Sequence, residues 1–279
     1  MQTILVPTDL SDFSLNAMNV AATICRARQA NILLLHVVPI HALSLTCSDV
    51  SFPVGSYDLQ RLMSETLATA ADELRRIASR PEYQGLTIET AILDDTDGLT
   101  NAITTHPADL IVMASRGTAD IETFWETSNA ETVVRFANCP VLVVKESQTA
   151  FAPKTILYAV EVDDQLKKWQ RYPFQLNEGS EDADGYFLYV YTPSDNREPQ
   201  AIRAWIEELA LSKGMAHYDI AIRSDKTAAE GIIRYAEEIE ADLIVLFTHG
   251  RKGLAHLLLG SVAADVLNHA GIPVLIMRL

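Results

Sequence analysis

The feature that most restricts this chain is a long internal repeat. Residues 241–279 read ADLIVLFTHGRKGLAHLLLGSVAADVLNHAGIPVLIMRL, and residues 108–145 read ADLIVMASRGTADIETFWETSNAETVVRFANCPVLVVK. Each copy opens on Ala-Asp-Leu-Ile-Val, a short apolar run of the kind a parallel sheet buries on both faces. A glycine follows, Gly250 in the later copy and Gly117 in the earlier. Nine residues on, a pair opens a helical pattern, Gly260-Ser261 in one and Thr127-Ser128 in the other. Each copy closes on Pro-Val-Leu and a second apolar run. The pattern is strand, loop, helix, strand. Solenoid repeats recur every ~20–50 residues, and this one is far longer, so it marks a duplicated domain.

The rest of the chain fits two such domains. Thr3 to Thr8 reads as a first strand with Asp9 at its carboxyl end and Ser11 as a candidate N-cap. Ala17, Val20, Ala21 and Ile24 then fall on one helical face. Asn31 to Val38 is a second strand, and Pro39 to Ser56 a long connection. A helix from Tyr57 to about Arg80, a strand from Leu86 to Asp94 and a short helix from Gly98 to His106 lead into the first copy of the repeat. After the linker ESQTAFAP, residues 146–153, the stretch KTILYAVEV matches QTILVPTDL position for position, so Glu161 stands where Asp9 does. A polar stretch interrupted by Pro173 and Gly179 predicts a short or irregular helix. Gly185 to Tyr191 is the next strand. A helix around Arg203 to Leu211, a strand over residues 215–222 and a helix from Thr227 to Glu240 complete the second half.

The order predicts an α/β protein. Two tandem doubly wound domains, residues 1–147 and 153–279, each carry a five-stranded parallel sheet and are related by a pseudo-two-fold. In such sheets ligands bind beyond the carboxyl ends of the strands, where strand order reverses. Asp9 and Glu161 end first strands, and Gly117 and Gly250 follow fourth strands, so both groups converge on one crevice per domain. A glycine loop that feeds a helix N-terminus is also an anion site, because unpaired amides and the helix dipole point the same way.

Composition excludes several classes. The net charge of −15, with acidic residues in excess in both halves, argues against nucleic-acid and anionic-membrane partners. No apolar run reaches the ~20 residues of a membrane span, and the N-terminus reads directly as a strand, so a soluble, cytoplasmic protein is expected. Cys25, Cys47 and Cys139 are an odd number at no metal-like spacing and read as structural thiols. His249 reads as a solvated loop histidine, and Trp125 as a plug for a vacated pocket. Ser-His-Asp, Cys-His, HExxH, CxxC and GxxxxGK[ST] sets are all missing, so neither a catalytic residue nor a metal is expected.

On the repeated glycine pattern the chain resembles the universal stress protein family, in its tandem, two-domain form. The family's nucleotide motif is Gly, two residues, Gly, nine residues, Gly, then Ser or Thr. The second half reads Phe247-Thr-His-Gly250, nine residues, Gly260-Ser261, with one glycine lost. The first half reads Ala114-Ser-Arg-Gly117, nine residues, Thr127-Ser128, with two lost. The resemblance implies an adenine nucleotide alpha hydrolase-like fold and a bound ATP or other adenine nucleotide, with magnesium as a companion. It puts adenosine on the acidic residue after strand one and on the backbone after strand two, and phosphates on the glycine loop and the Gly-Ser pair. That names Glu161, Gly250, Gly260, Ser261 and Val262 in the second half, expected to be the main site. In the first half it names Asp9, Gly117 and Ser128, with Val37 or Val38 lining the base. Family domains pair through their last strands across a dimer, and here the two halves are expected to make that contact within one chain. A homodimer and an unidentified protein partner stay open. So do three other readings: a closed-pocket scaffold that binds no nucleotide, a slow ATPase, and a pocket remodelled by Phe247 for another small ligand.

Overall fold

The computed structural model describes residues 2–38, 56–94, 98–115, 126–145, 151–163, 166, 184–215, 217–248 and 261–278. The first half runs β1 (Thr3–Thr8), α1 (Leu15–Arg28), β2 (Asn31–Val38), α2 (Ser56–Ala78), β3 (Ile88–Asp94), α3 (Gly98–Thr105), β4 (Leu110–Ala114), α4 (Glu126–Phe136) and β5 (Val141–Val144). The second runs β6 (Thr155–Ala159), β7 (Asp184–Tyr191), α5 (Pro199–Ser212), β8 (Tyr218–Ser224), α6 (Ala228–Glu238), β9 (Leu243–Thr248), α7 (Ser261–His269) and β10 (Val274–Arg278). The stripe expected on α1 is its buried face, with Ala17, Val20, Ala21 and Ile24 all in the core. Helix α5 begins earlier than its apolar pattern suggested, because Pro199 fits the first turn of a helix, where no amide is required. Strand β8 begins later, at Tyr218. The long connection over 39–55 and the irregular helix expected over 167–183 lie outside the described residues. Of the expected linker, Phe151 is buried in the core.

The strands form one sheet in the order β3-β2-β1-β4-β5-β10-β9-β6-β7-β8. Every neighbouring pair is parallel except β5 with β10, where Val143 faces Val274, Leu142 faces Leu275 and Val141 faces Ile276. The two five-stranded sheets therefore meet back to back, and the Leu142–Leu275 pair marks the local two-fold. Alternation along these strands buries Val141, Val143, Val274 and Ile276 on one face, under α3, α4, α6 and α7. It sends Leu142, Val144, Leu275 and Met277 to the other face, into the core under α1 and α2. Both cores cross the seam. The α5 side of the second half has its own cluster, built on Val160, Phe187, Trp205 and Ile206.

Polar contacts lock the seam at its rim. Lys145, just past β5, donates to the carbonyl of Leu267 in the last turn of α7. Arg278 at the end of β10 donates from Nη1 to the carbonyl of Ala137, which follows α4, at 2.6 Å. Each half thus supplies a cation to the carbonyl-rich helix end of the other, where the backbone carbonyls lack donor partners and the dipole is negative. Asn268 Nδ2 donates to Glu131 Oε1 at 3.1 Å between the same two helices. Lys145 is buried, and burial pushes its ammonium down to about 8.

The repeated Ala-Asp-Leu-Ile-Val also acquires a role. Asp109 Oδ2 accepts the Thr3 amide at 2.8 Å. Asp242 Oδ2 accepts the amides of Lys154 and Thr155 at 2.8 and 2.9 Å. The acid before each fourth strand therefore caps the open start of the first strand beside it.

Asp242→Ala should cost ~1–2 kcal/mol in a urea titration, since it strands two backbone donors that had a charged acceptor. A second expectation concerns pH. Lys145 gives up its proton near pH 8 in the folded chain, and only near 10.5 when unfolded. In that window the unfolded chain binds more protons, so this group adds stability as pH rises. The stability difference between wild type and Lys145→Met should shift towards wild type from pH 8 to 10.5, by at most about 3 kcal/mol. Cys25 and Cys139, both pushed up to about 12 by burial, oppose that trend equally in both proteins and cancel.

Candidate functional site

Strand order reverses between β1 and β4 in the first half and between β6 and β9 in the second. A crevice beyond the carboxyl ends of each pair is where this topology binds ligands.

In the first half the turn from β1 into α1 is tightly bonded. Asp9 Oδ1 accepts the Ser11 amide at 2.9 Å and the Ser11 hydroxyl at 2.6 Å. The Asp9 side chain is otherwise exposed. Burial alone would raise its carboxyl, but the donors from Ser11 outweigh that, with Ser14 assisting, and hold it below the usual carboxylate range. Ser11 Oγ in turn accepts the Ser14 amide at 3.1 Å, the capping role expected of Ser11, although the α-helix proper starts at Leu15. Below this turn Thr8 and Ser14 are buried with their hydroxyls 2.7 Å apart. Leu10 has φ +68°, a left-handed conformation that costs a side-chain-bearing residue on the order of 1–2 kcal/mol. Its amide is fixed on Thr8 Oγ1 at 3.0 Å. On β2, His36 sits beside Thr8 in the ladder and donates from Nδ1 to the Thr8 carbonyl at 2.7 Å, which sets the tautomer. Val37 packs half-buried on the α3–α4 face, and Val38 is buried against Ala70 of α2. Ala114 ends β4 half-buried, and Ser128 lies in the first turns of α4. Gly117 and Thr127's loop neighbours at 116–125 lie outside the described residues.

The second half differs at matched positions. Val160 stands at the place of Thr8 and Leu166 at that of Ser14, and both are buried in the α5-side cluster. Glu161, the counterpart of Asp9, is exposed. Tyr189, one step on from the partner of Ala159, takes the place of His36. Its hydroxyl donates to Asp195 Oδ2 and accepts from Arg197 Nη1 at 3.1 Å, which ties it to the turn after β7 rather than to β6. Burial, then the Asp195 carboxylate, pushes the Tyr189 phenol up to about 12. Phe247, at the position of the family's first glycine, packs half-buried against the cores that also hold Tyr158 and Val160. Tyr158 itself stacks on Phe187 at 5.3 Å. Ser261 is exposed and opens α7, and Val262 is half-buried. Gly250, Gly260 and His249 lie outside the described residues, as does Trp125.

Asp9 follows β1 at the same strand ends as Val37 and Val38 of β2, and Glu161 lies just past the carboxyl end of β6, beside β9. Residue-type reasoning missed Thr8, Ser14, His36 and Tyr189. Aligning the two halves was the available signal, since Thr8 against Val160 and Ser14 against Leu166 are polar-for-apolar exchanges in otherwise matched segments. Among the described residues, no group of three or more His, Cys, Asp or Glu could hold a metal ion. Nor is any described helix long and apolar enough to cross a membrane.

Comparison with known proteins agrees with this architecture. The Universal stress protein family model matches residues 1–145 and again 154–278. A universal stress protein of Synechocystis is 28% identical, with both chains covered over their whole length. One from Methanocaldococcus jannaschii is 33% identical over 51% of this chain and 81% of its own. Among solved structures, a universal stress protein from Archaeoglobus fulgidus shares the fold with TM-score 0.67 and 18% identity, over 99% of this chain and 96% of that one.

The Asp9 turn makes a direct forecast. A carboxyl held low in the folded state adds stability above its ordinary value near 3.8, and loses it as pH falls through the folded value. Ser11→Ala removes one of its donors, so the variant's deficit in urea midpoint should be full at neutral pH and should shrink as pH falls through the folded value of Asp9, leaving only the part due to the lost acceptor of the Ser14 amide.

Proposed function

We propose that this chain, which belongs to the universal stress protein family, is a non-catalytic cytoplasmic module that binds or senses an adenine nucleotide. The observation that carries this reading is the Asp9 carboxylate. It stands at the reversal point of a doubly wound sheet, with Oδ1 fixed by Ser11 and the rest of the side chain exposed. A charged acceptor held still at a crevice edge suits the vicinal hydroxyls of a ribose. Val37 beside it offers apolar surface, and α4 and α7 start beyond β4 and β9, where helix N-termini attract phosphate. Gly117 and Ser128 in the first half, with Gly250, Gly260, Ser261 and Val262 in the second, are the phosphate contacts this reading assigns, and Glu161 is the second half's counterpart acid. Magnesium would then arrive on the phosphates. Such a protein works by linkage: nucleotide favours one loop arrangement and shifts the population of surfaces offered to a protein partner or a second copy of the chain.

A second reading has its own observation. Val160 and Leu166 are buried in the α5-side core, with Tyr158 and Phe247 packed against it, so the counterpart of the Asp9 turn is apolar, as a closed-pocket scaffold would require.

Denaturing extraction of purified protein, with mass spectrometry of the released small molecules, tests the choice. Adenine nucleotide in the extract is the expected result. Added ATP at ~100 times its Kd should then stabilise the folded chain by about 2.7 kcal/mol, read as a thermal shift. An empty extract together with no shift in millimolar ATP and magnesium would remove the nucleotide reading and leave the scaffold.

A further inference from the structure

We propose that the buried hydroxyls of Thr8 and Ser14 are positioning residues for Asp9, and that losing them in the second half leaves the first half as the nucleotide-binding half of the chain. This rests on the adenine-nucleotide reading above and reverses the weighting that the glycine pattern suggests.

The hydrogen-bond directions around Asp9 form a single chain. The Ser14 hydroxyl donates to the Ser11 carbonyl at 2.9 Å and also helps to hold the Asp9 carboxyl down. The 2.7 Å contact between Thr8 and Ser14 must then carry the Thr8 proton, with Ser14 Oγ accepting. Thr8 Oγ1 is left with its lone pairs and accepts the Leu10 amide. Ser11, held through its carbonyl by Ser14, aims both its amide and its hydroxyl at Asp9 Oδ1. The chain ends on the carboxylate. Leu10 shows what this holds in place. A bulky residue keeps φ +68° only where its surroundings enforce it. Here the Thr8 hydroxyl takes its amide, and its side chain packs beside Val38, Ala70, Met63 and Leu67.

All three donors are missing from the second half. Val160 replaces Thr8, Asp163 replaces Ser11 and Leu166 replaces Ser14. Val160 and Leu166 are 5% and 2% exposed and belong to the apolar core, so apolar side chains take the places of the hydroxyl pair. A carboxylate at 163 has no hydroxyl proton to give Glu161, and adds a like charge two residues away. The backbone differs too. Among the described residues only Leu10, Gln29 and Glu240 combine a side chain with positive φ, so Val162, in Leu10's place, does not make the left-handed turn. The second half keeps the better glycine pattern but lacks a fixed acceptor. Phosphate contacts without a placed sugar contact leave the nucleoside unheld.

The test uses the full chain with ATP and magnesium in isothermal titration calorimetry, alongside a carboxyl-carbon NMR titration of Asp9 in ligand-free protein. One nucleotide per chain is expected, with none after Asp9→Asn. Ser14→Ala and Thr8→Val should each weaken ATP by about tenfold, the loss of one hydrogen bond's worth of placement, while Thr8→Ser keeps affinity near wild type. In the same two variants the Asp9 carboxyl should titrate closer to its ordinary value, although unfolding stays cooperative. A merely structural hydroxyl pair would lower stability and leave the Asp9 titration where it was, and that outcome overturns the positioning role. One equivalent of ATP persisting in Asp9→Asn overturns the assignment to the first half. Should the unaltered chain bind no ATP, the nucleotide reading and the assignment fall together, and the ligand-free titration still decides whether Thr8 and Ser14 position Asp9.

Discussion

Everything in this molecule depends on three residue pairs where two sheets meet head to tail. Val143 with Val274, Leu142 with Leu275 and Val141 with Ile276 turn two five-stranded units into one ten-stranded sheet. An antiparallel contact this short would be weak on backbone bonds alone, since a ladder of a few residues gains little net free energy in water. Its strength comes from what the alternation does above and below. Successive residues of β5 and β10 enter opposite cores, and both cores run uninterrupted past the seam. Separating the halves would expose both at once.

Polar chemistry adds direction to that apolar join. Lys145 and Arg278 occupy matched places after the last strand of each half, and each serves a helix end of the other. The first is buried and costly to keep charged, whereas the second uses a guanidinium, which sheds water more readily. The symmetry of position is therefore better preserved than the symmetry of chemistry. The same holds at the crevices, where Asp9 and Glu161 share a place in the topology and differ in what surrounds them.

The architecture was largely legible in the sequence, because it is written in patterns that local physics reads. Mainly apolar runs mark β1 and β2, and the stripe on α1 names its buried face. Boundaries slipped where the deciding feature was not apolar, as at Pro199, which starts α5 ahead of its hydrophobic pattern. Strand order followed from the sequence, and with it the position of Asp9 just past the carboxyl end of β1. Its state was not readable, since that depends on a turn in which Thr8, Ser11 and Ser14 meet and on a backbone angle at Leu10 that no propensity favours. Asp109 and Asp242 were visible as repeated letters, yet their role as strand caps needs β1 beside β4 and β6 beside β9. The contact of Lys145 with Leu267 spans 122 residues and lay beyond any local pattern. Gly117, Gly250 and Gly260 lie outside the described residues, so the glycine pattern is a reading of the sequence.

Joining both halves covalently changes what substitution can do. In a symmetric pair of identical chains, every replacement appears twice, and a change that empties one pocket empties both. Here the join is intramolecular, survives dilution, and leaves each half free to vary separately. Thr8 and Val160 are the visible product: one position, two residues, one shared sheet. The seam lets a single chain carry buried hydroxyls behind one carboxylate and apolar side chains behind the other, an asymmetry closed to any assembly of identical single domains.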